Sequence, residues 1–109
     1  MLEPILGSTN AERVLIFIFA RGKGYAREIS RFFETGFNPI HAQLERLEFG
    51  GVLVSQKIGK TRVFEFNPRY PFLNELRAIL EKNLSFYPEM DREKLMMNRR
   101  RPRRSGKKL

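Results

Sequence analysis

At 109 residues with a 41% hydrophobic composition, the chain is long enough for one packed domain and too short for two. It contains no Cys, which excludes disulfides, thiolate metal sites and a cysteine nucleophile, and its longest apolar run, Val14 to Ala20, is far below the roughly 20 residues that span a bilayer. The net charge of +9 is unevenly placed: nine Lys and Arg against Glu93 alone fall in residues 92–109, leaving +1 for residues 1–91, so any nucleic-acid role of the folded part must rest on where its charges stand.

Residues Leu2 to Gly7 are apolar apart from Glu3 and contain Pro4, which predicts a docked N-terminal arm in place of a helix start. Ser8 or Thr9 supplies an N-cap oxygen for a first helix, 10–21, whose middle, Val14 to Phe19, is apolar on every face. Such a helix is either enclosed by its own domain or shared with a dimer partner. Gly22, Lys23 and Gly24 break it, without the spacing of a phosphate-cradling loop, and Tyr25-Ala26 can form a very short strand. A second helix is expected over Arg27 to Glu34, with Ile29, Phe32 and Phe33 inward. The turn Thr35-Gly36-Phe37 follows, with Gly36 in a left-handed conformation.

Asn38 as N-cap and Pro39 at the first helical position open a third helix that ends at Gly50-Gly51, and Ile40, Leu44 and Leu47 form its buried stripe. Val52 to Ile58 and Thr61 to Phe66 read as a hairpin joined across Gly59-Lys60. A fourth helix is predicted over Pro71 to Leu84, with an apolar stripe wide enough to pack on the domain and meet a partner. A short helix over 90–98 can follow Pro88. The expected fold class is mainly α with a small β-hairpin. Residues 1–86 form the domain and residues 87–109 a basic tail expected to stay disordered.

This order is that of a winged helix-turn-helix: a three-helix core, a two-stranded wing and an additional C-terminal helix. The stretch AREISRFFETGFNPIHAQLERLEFGGVLV resembles the core of ArsR-like and MarR-like prokaryotic transcriptional regulators. Ile40 stands at the apolar position after the cap, QLERLEFGGVLV stands for the pattern HLxxLxxxGLV, and Gly51 takes the place of the Gly before the strand. The segment GKTRVFEFNPRYPFLNEL is similar to the wing and following NPxHPLxxEL segment of small winged-helix proteins found beside minimal nucleotidyltransferases. Two departures limit the resemblance. With no Cys and only His41, a metal-sensing role has nothing to be built from. Gly7-Ser8 is followed by no paired acids, so the magnesium-holding motif of a nucleotidyltransferase is missing.

The resemblance implies duplex DNA binding, with the third helix in the major groove. The exposed residues there are Asn38, Pro39, His41, Ala42, Gln43 and Arg46. Gln43 suits adenine, Arg46 guanine or a phosphate, and Pro39 and Ala42 thymine methyls. Lys57, Lys60 and Arg62 on the wing are expected on phosphates or in the minor groove, and Arg27 and Arg31 on phosphates. In the tail, Arg99, Arg100, Arg101, Arg103, Arg104, Lys107 and Lys108 can add sequence-independent affinity. Expected partners are duplex DNA and a second copy of the chain, through helix 10–21 and helix 71–84. No membrane partner, metal or cofactor is expected, and the location is cytoplasmic, on the nucleoid.

Three other readings stand beside this one. The domain can be a protein-docking adaptor with only its tail on nucleic acid, which the near-neutral charge of residues 1–91 keeps open. RNA binding would need clustered exposed aromatics, and Tyr25, Tyr70 and Tyr87 are scattered. An enzyme would need a carboxylate pair, a histidine dyad or a metal cluster that the sequence does not set out.

Overall fold

A computed structural model describes residues 1–97. The elements in chain order are α1 (Glu3–Leu6), α2 (Thr9–Arg21), α3 (Ala26–Phe32), α4 (Phe37–Phe49), β1 (Leu53–Ile58), β2 (Thr61–Phe66), α5 (Leu73–Leu84) and α6 (Glu89–Met97). The N-terminal arm is thus partly helical: α1 makes one turn, with Pro4 in its first turn, where the missing N–H has no intrahelical partner to lose.

The α2 helix is the axis of the molecule. The Ser8 hydroxyl caps it by accepting the Ala11 amide at 3.0 Å. Val14, Leu15, Ile16, Phe17 and Ile18 are all at most 1% exposed, because α1, α3, α4, α5, α6 and β2 pack around this one helix. Of the two explanations for its all-round apolarity, enclosure by its own domain is the one observed. Helix 10–21 therefore offers no free apolar face for a dimer partner, and that part of the expected interface is corrected.

Gly24, not Tyr25-Ala26, makes the short strand pairing: its amide donates to the Phe64 carbonyl at 3.0 Å and its carbonyl accepts the Phe64 amide at 2.8 Å. A Cβ at Gly24 would lie 2.9 Å from the buried Phe17 ring, so the close approach of this loop to α2 needs a glycine. Ala26 already begins α3, which ends at Phe32, two residues earlier than expected. The left-handed residue that closes the turn accordingly falls on Glu34 (φ 53°), with the Thr35 amide reaching back to the Ser30 carbonyl at 2.9 Å. Gly36 has φ −67° and is the N-cap of α4; Asn38 and Pro39 are the second and third helical residues. Pro39 is tolerated there for the reason it would be at the first position, since the first four helical N–H groups have no carbonyl to meet.

Ile40, Leu44 and Leu47 are buried as their spacing requires. The antiparallel hairpin pairs Leu53 with Phe66 and Ile58 with Thr61, and Gly59 (φ 64°) supplies the positive-φ residue of its two-residue turn. Leu53, Phe64 and Phe66 anchor its base in the core, while the tip projects with every residue from Gln56 to Lys60 exposed. The fourth predicted helix begins at Leu73, not Pro71, and Leu80 is its fully buried residue.

The α6 helix packs on α2 with Leu95 completely buried, and the Arg21 guanidinium donates to the carbonyls of Leu95 (3.1 Å) and Lys94 (3.3 Å). The boundary expected at residue 86/87 is therefore misplaced, since the packed part reaches at least Leu95. The basic residues 99–109 lie outside the described residues. No described helix is long and apolar enough to cross a membrane.

Candidate nucleic-acid interface

Helix α4 runs along one side of the molecule with Ile40, Leu44 and Leu47 against α2 and α3, which turns Asn38, Pro39, Ala42 and Arg46 to solvent and leaves His41 and Gln43 half-buried. Because α4 begins at Phe37, Phe37 and His41 are four residues apart on one face, and their rings stack with centroids 5.5 Å apart at 15°. From the start of α3, the Arg27 guanidinium lies 5.1 Å from the Phe37 ring centre. The hairpin tip leans toward the same place, bringing Lys60 and Arg62 across from them.

The result is a cleft of about 340 Å³ whose walls include Tyr25 and Arg27 at the start of α3, Phe37 and His41 on α4, and Lys60 and Arg62 on the hairpin; Phe64 also lines it. Three cations, one from α3 and two from the hairpin, meet here and no carboxylate lines the cleft. Lys57 stands directly opposite Arg62 in the hairpin ladder, a like-charge pair that weakens a hairpin in isolation and is relieved by an anion.

One contact fixes the hairpin against α4 and a second, within the hairpin, joins it. Ser55 on β1 donates its hydroxyl to Glu48 of α4 at 2.6 Å, and Arg62 donates to the same Ser55 oxygen at 2.9 Å. The Glu48 carboxylate is thereby engaged inside the chain. Glu45 lies 3.8 Å from His41 Nδ1.

Of the residues read from the sequence, Arg27, His41, Lys60 and Arg62 come together around the cleft, with Asn38 and Pro39 on the exposed first turn of α4 beside it. Arg31 is exposed on α3 but does not line the cleft. Gln43 and Arg46 are turned elsewhere: Arg46 Nε donates to Gln43 Oε1 at 2.9 Å, and its Nη2 donates to the Leu6 carbonyl at the end of α1 at 3.3 Å. Tyr25 and Phe37 are cleft residues that the sequence does not mark as such. A helix started at Asn38 hides the four-residue spacing from Phe37 to His41 that places Phe37 on this face.

No family model and no curated protein matches the chain. Among solved structures, YusO of Bacillus subtilis aligns over 96% of this chain and 79% of its own, with a TM-score of 0.56 at 18% identity. ZitR of Lactococcus lactis, a mutant in its apo form, aligns over 91% of this chain and 83% of its own, with a TM-score of 0.54 at 12% identity. The chain has the winged-helix fold. In that architecture α3 and α4 are the helix-turn-helix, the β1–β2 hairpin is the wing, and the cleft lies between the wing and the start of the second helix of the pair.

Proposed function

We propose that this winged helix is a sequence-specific regulator of transcription that binds duplex DNA, with the first two turns of α4 in the major groove and the wing on phosphates or in the adjacent minor groove. The observation that carries the reading is the convergence of Arg27, Lys60 and Arg62 on a cleft without carboxylates, in a domain whose overall charge is nearly balanced. Net charge alone favours no partner; concentrating cations beside an exposed helix start favours a polyanion. The likeness to YusO and ZitR supports the same reading.

Asn38, Pro39, His41 and Ala42 are the residues that reach base edges. Gln43 and Arg46 join them once Arg46 leaves the Leu6 carbonyl, an exposed contact that costs little to break. Lys57 and Arg31 take flanking phosphates. Glu45 keeps the far half of α4 out of the groove, since a carboxylate is repelled by phosphates. Arg99, Arg100, Arg101, Arg103, Arg104, Lys107 and Lys108 add affinity without sequence preference, as a polybasic segment does on any duplex.

The protein acts as a homodimer through helix 71–84 on a pseudo-palindromic site, with half-sites about one helical turn apart. What supports this is the outer side of α5. Ile79 on the helix (42% exposed), Phe72 at its N-cap (63%) and Phe86 just past its C-terminus (59%) are exposed apolar side chains offered to a partner.

Selection of the full chain against a randomised duplex library tests the reading. A single enriched motif is expected, altered in sequence by Asn38→Ala with His41→Ala. Failure of the folded protein to enrich any motif would overturn it.

A further inference from the structure

We infer that the cleft between the wing and the start of α4 is also a binding site for a small phosphate ester bearing a flat ring, of the nucleoside monophosphate class, and that such a ligand competes with DNA. The inference builds on the proposed DNA contact, because it places a regulator on the same surface. A phosphate-backbone contact needs cations but no aromatic wall. This cleft has both.

On the anionic side, neither Arg27 nor Lys60 has a carboxylate within ion-pair distance among the described residues, and Arg62 gives only one of its five N–H donors to Ser55. They approach from two sides, Arg27 from α3 and Lys60 and Arg62 from the hairpin, so a phosphate seated among them is held from more than one direction, as one on a flat lysine patch would not be. On the apolar side, Tyr25 is 38% exposed and its ring has no aromatic partner among the described residues, and Phe37 is 37% exposed with Arg27 beside it and His41 stacked on it. A planar ring entering the cleft can stack on Tyr25 or on the Arg27–Phe37 pair while its phosphate reaches Lys60 and Arg62. The volume of about 340 Å³ lies at the lower end of the roughly 300–1,000 Å³ found for small-molecule sites, which suits a mononucleotide better than a larger cofactor. Because Arg27, Lys60 and Arg62 would be the groups facing duplex phosphates, a bound nucleotide removes them from DNA by occupying them.

The test is an NMR titration of the full chain with adenosine 5′-monophosphate, with ribose 5-phosphate and adenosine as single-feature controls. Expected are saturable shifts at Tyr25, Phe37 and Lys60, with each control binding about tenfold more weakly. Tyr25→Ala and Lys60→Ala, both at exposed positions that leave the core intact, should each weaken nucleotide binding about fivefold. Excess nucleotide should displace a labelled duplex. Shifts confined to residues 99–109, or equal affinity in wild type and both variants, would overturn the inference. Duplex binding that perturbs the cleft while the nucleotide does not would assign the site to the DNA backbone alone, sinking the inference and keeping the proposed function. Nucleotide binding in the cleft with no duplex binding would keep the ligand site and sink both the competition with DNA and the proposed function.

Discussion

At Glu12 a carboxylate sits inside the core, 6% exposed, and the donors around it explain why. Asn83 Nδ2 donates at 2.6 Å, the Tyr87 hydroxyl at 3.0 Å, the Leu2 amide at 3.1 Å and the Met1 α-amino group at 3.3 Å. Burial by itself would push this carboxyl up, but the hydrogen bonds from Asn83, Leu2, Tyr87 and the amino group outweigh it and hold the group below the usual carboxylate range. A depressed native value means that Glu12 adds stability above the carboxylate range of the unfolded chain, and that this is lost as pH falls through the native value. Burial, with the adjacent Glu12 charge, correspondingly raises the Tyr87 phenol. Glu12→Ala leaves several donors unpaired in a closed space and should cost about 3 kcal/mol at pH 7. In thermal unfolding the gap between Glu12→Gln and wild type should narrow as pH is lowered below about 4; a gap independent of pH would contradict this. Glu34, left-handed at φ 53°, points the other way: Glu34→Gly should raise stability by roughly 1 kcal/mol in denaturant unfolding, because a Cβ is strained there. Neither role is legible in the sequence. Glu12 is a lone acid in an apolar helix, and two of its partners, Asn83 and Tyr87, lie more than 70 residues away, and Gly36 is the better candidate for the left-handed position unless α3 ends early, as it does.

At the scale of elements, stripes and breaks in the sequence are sufficient where local chemistry decides. The Ile40, Leu44 and Leu47 face, the Gly50-Gly51 stop and the hairpin from Leu53 to Phe66 follow from period and turn residues alone. What escapes is set by packing between residues distant in sequence. Gly24 pairs with Phe64, and Leu95 fills a space against α2 that no pattern within 90–98 announces. Gly24→Ala should cost about 1–3 kcal/mol, because its methyl meets the buried Phe17 ring and a core ring cannot yield without disturbing its neighbours. Leu95→Ala should cost about 2–4 kcal/mol, as for any fully buried leucine. Both are read from urea unfolding of the full chain. An unchanged midpoint in Leu95→Ala would return α6 to the tail and restore a boundary near residue 86.

For the whole molecule, the balance of charge over residues 1–91 weighs against the folded part as a nucleic-acid binder, and the fold answers by distribution. Carboxylates are drawn off to Arg21, to Ser55 and to the interior, while Arg27, Lys60 and Arg62 gather at one cleft. The helix-turn-helix and wing are readable in the sequence; the cleft is not, because it depends on the hairpin leaning over the first turn of α4. Whether these cations meet DNA is decided most directly by the salt dependence of duplex binding, measured by fluorescence anisotropy for the full chain and for Arg27→Ala with Lys60→Ala and Arg62→Ala. Removing three phosphate-binding cations together should make the slope of log affinity against log salt less steep by about 2.7, while the tail's own contribution remains. An identical slope and affinity in the triple variant would mean that the winged domain does not hold DNA through this cleft.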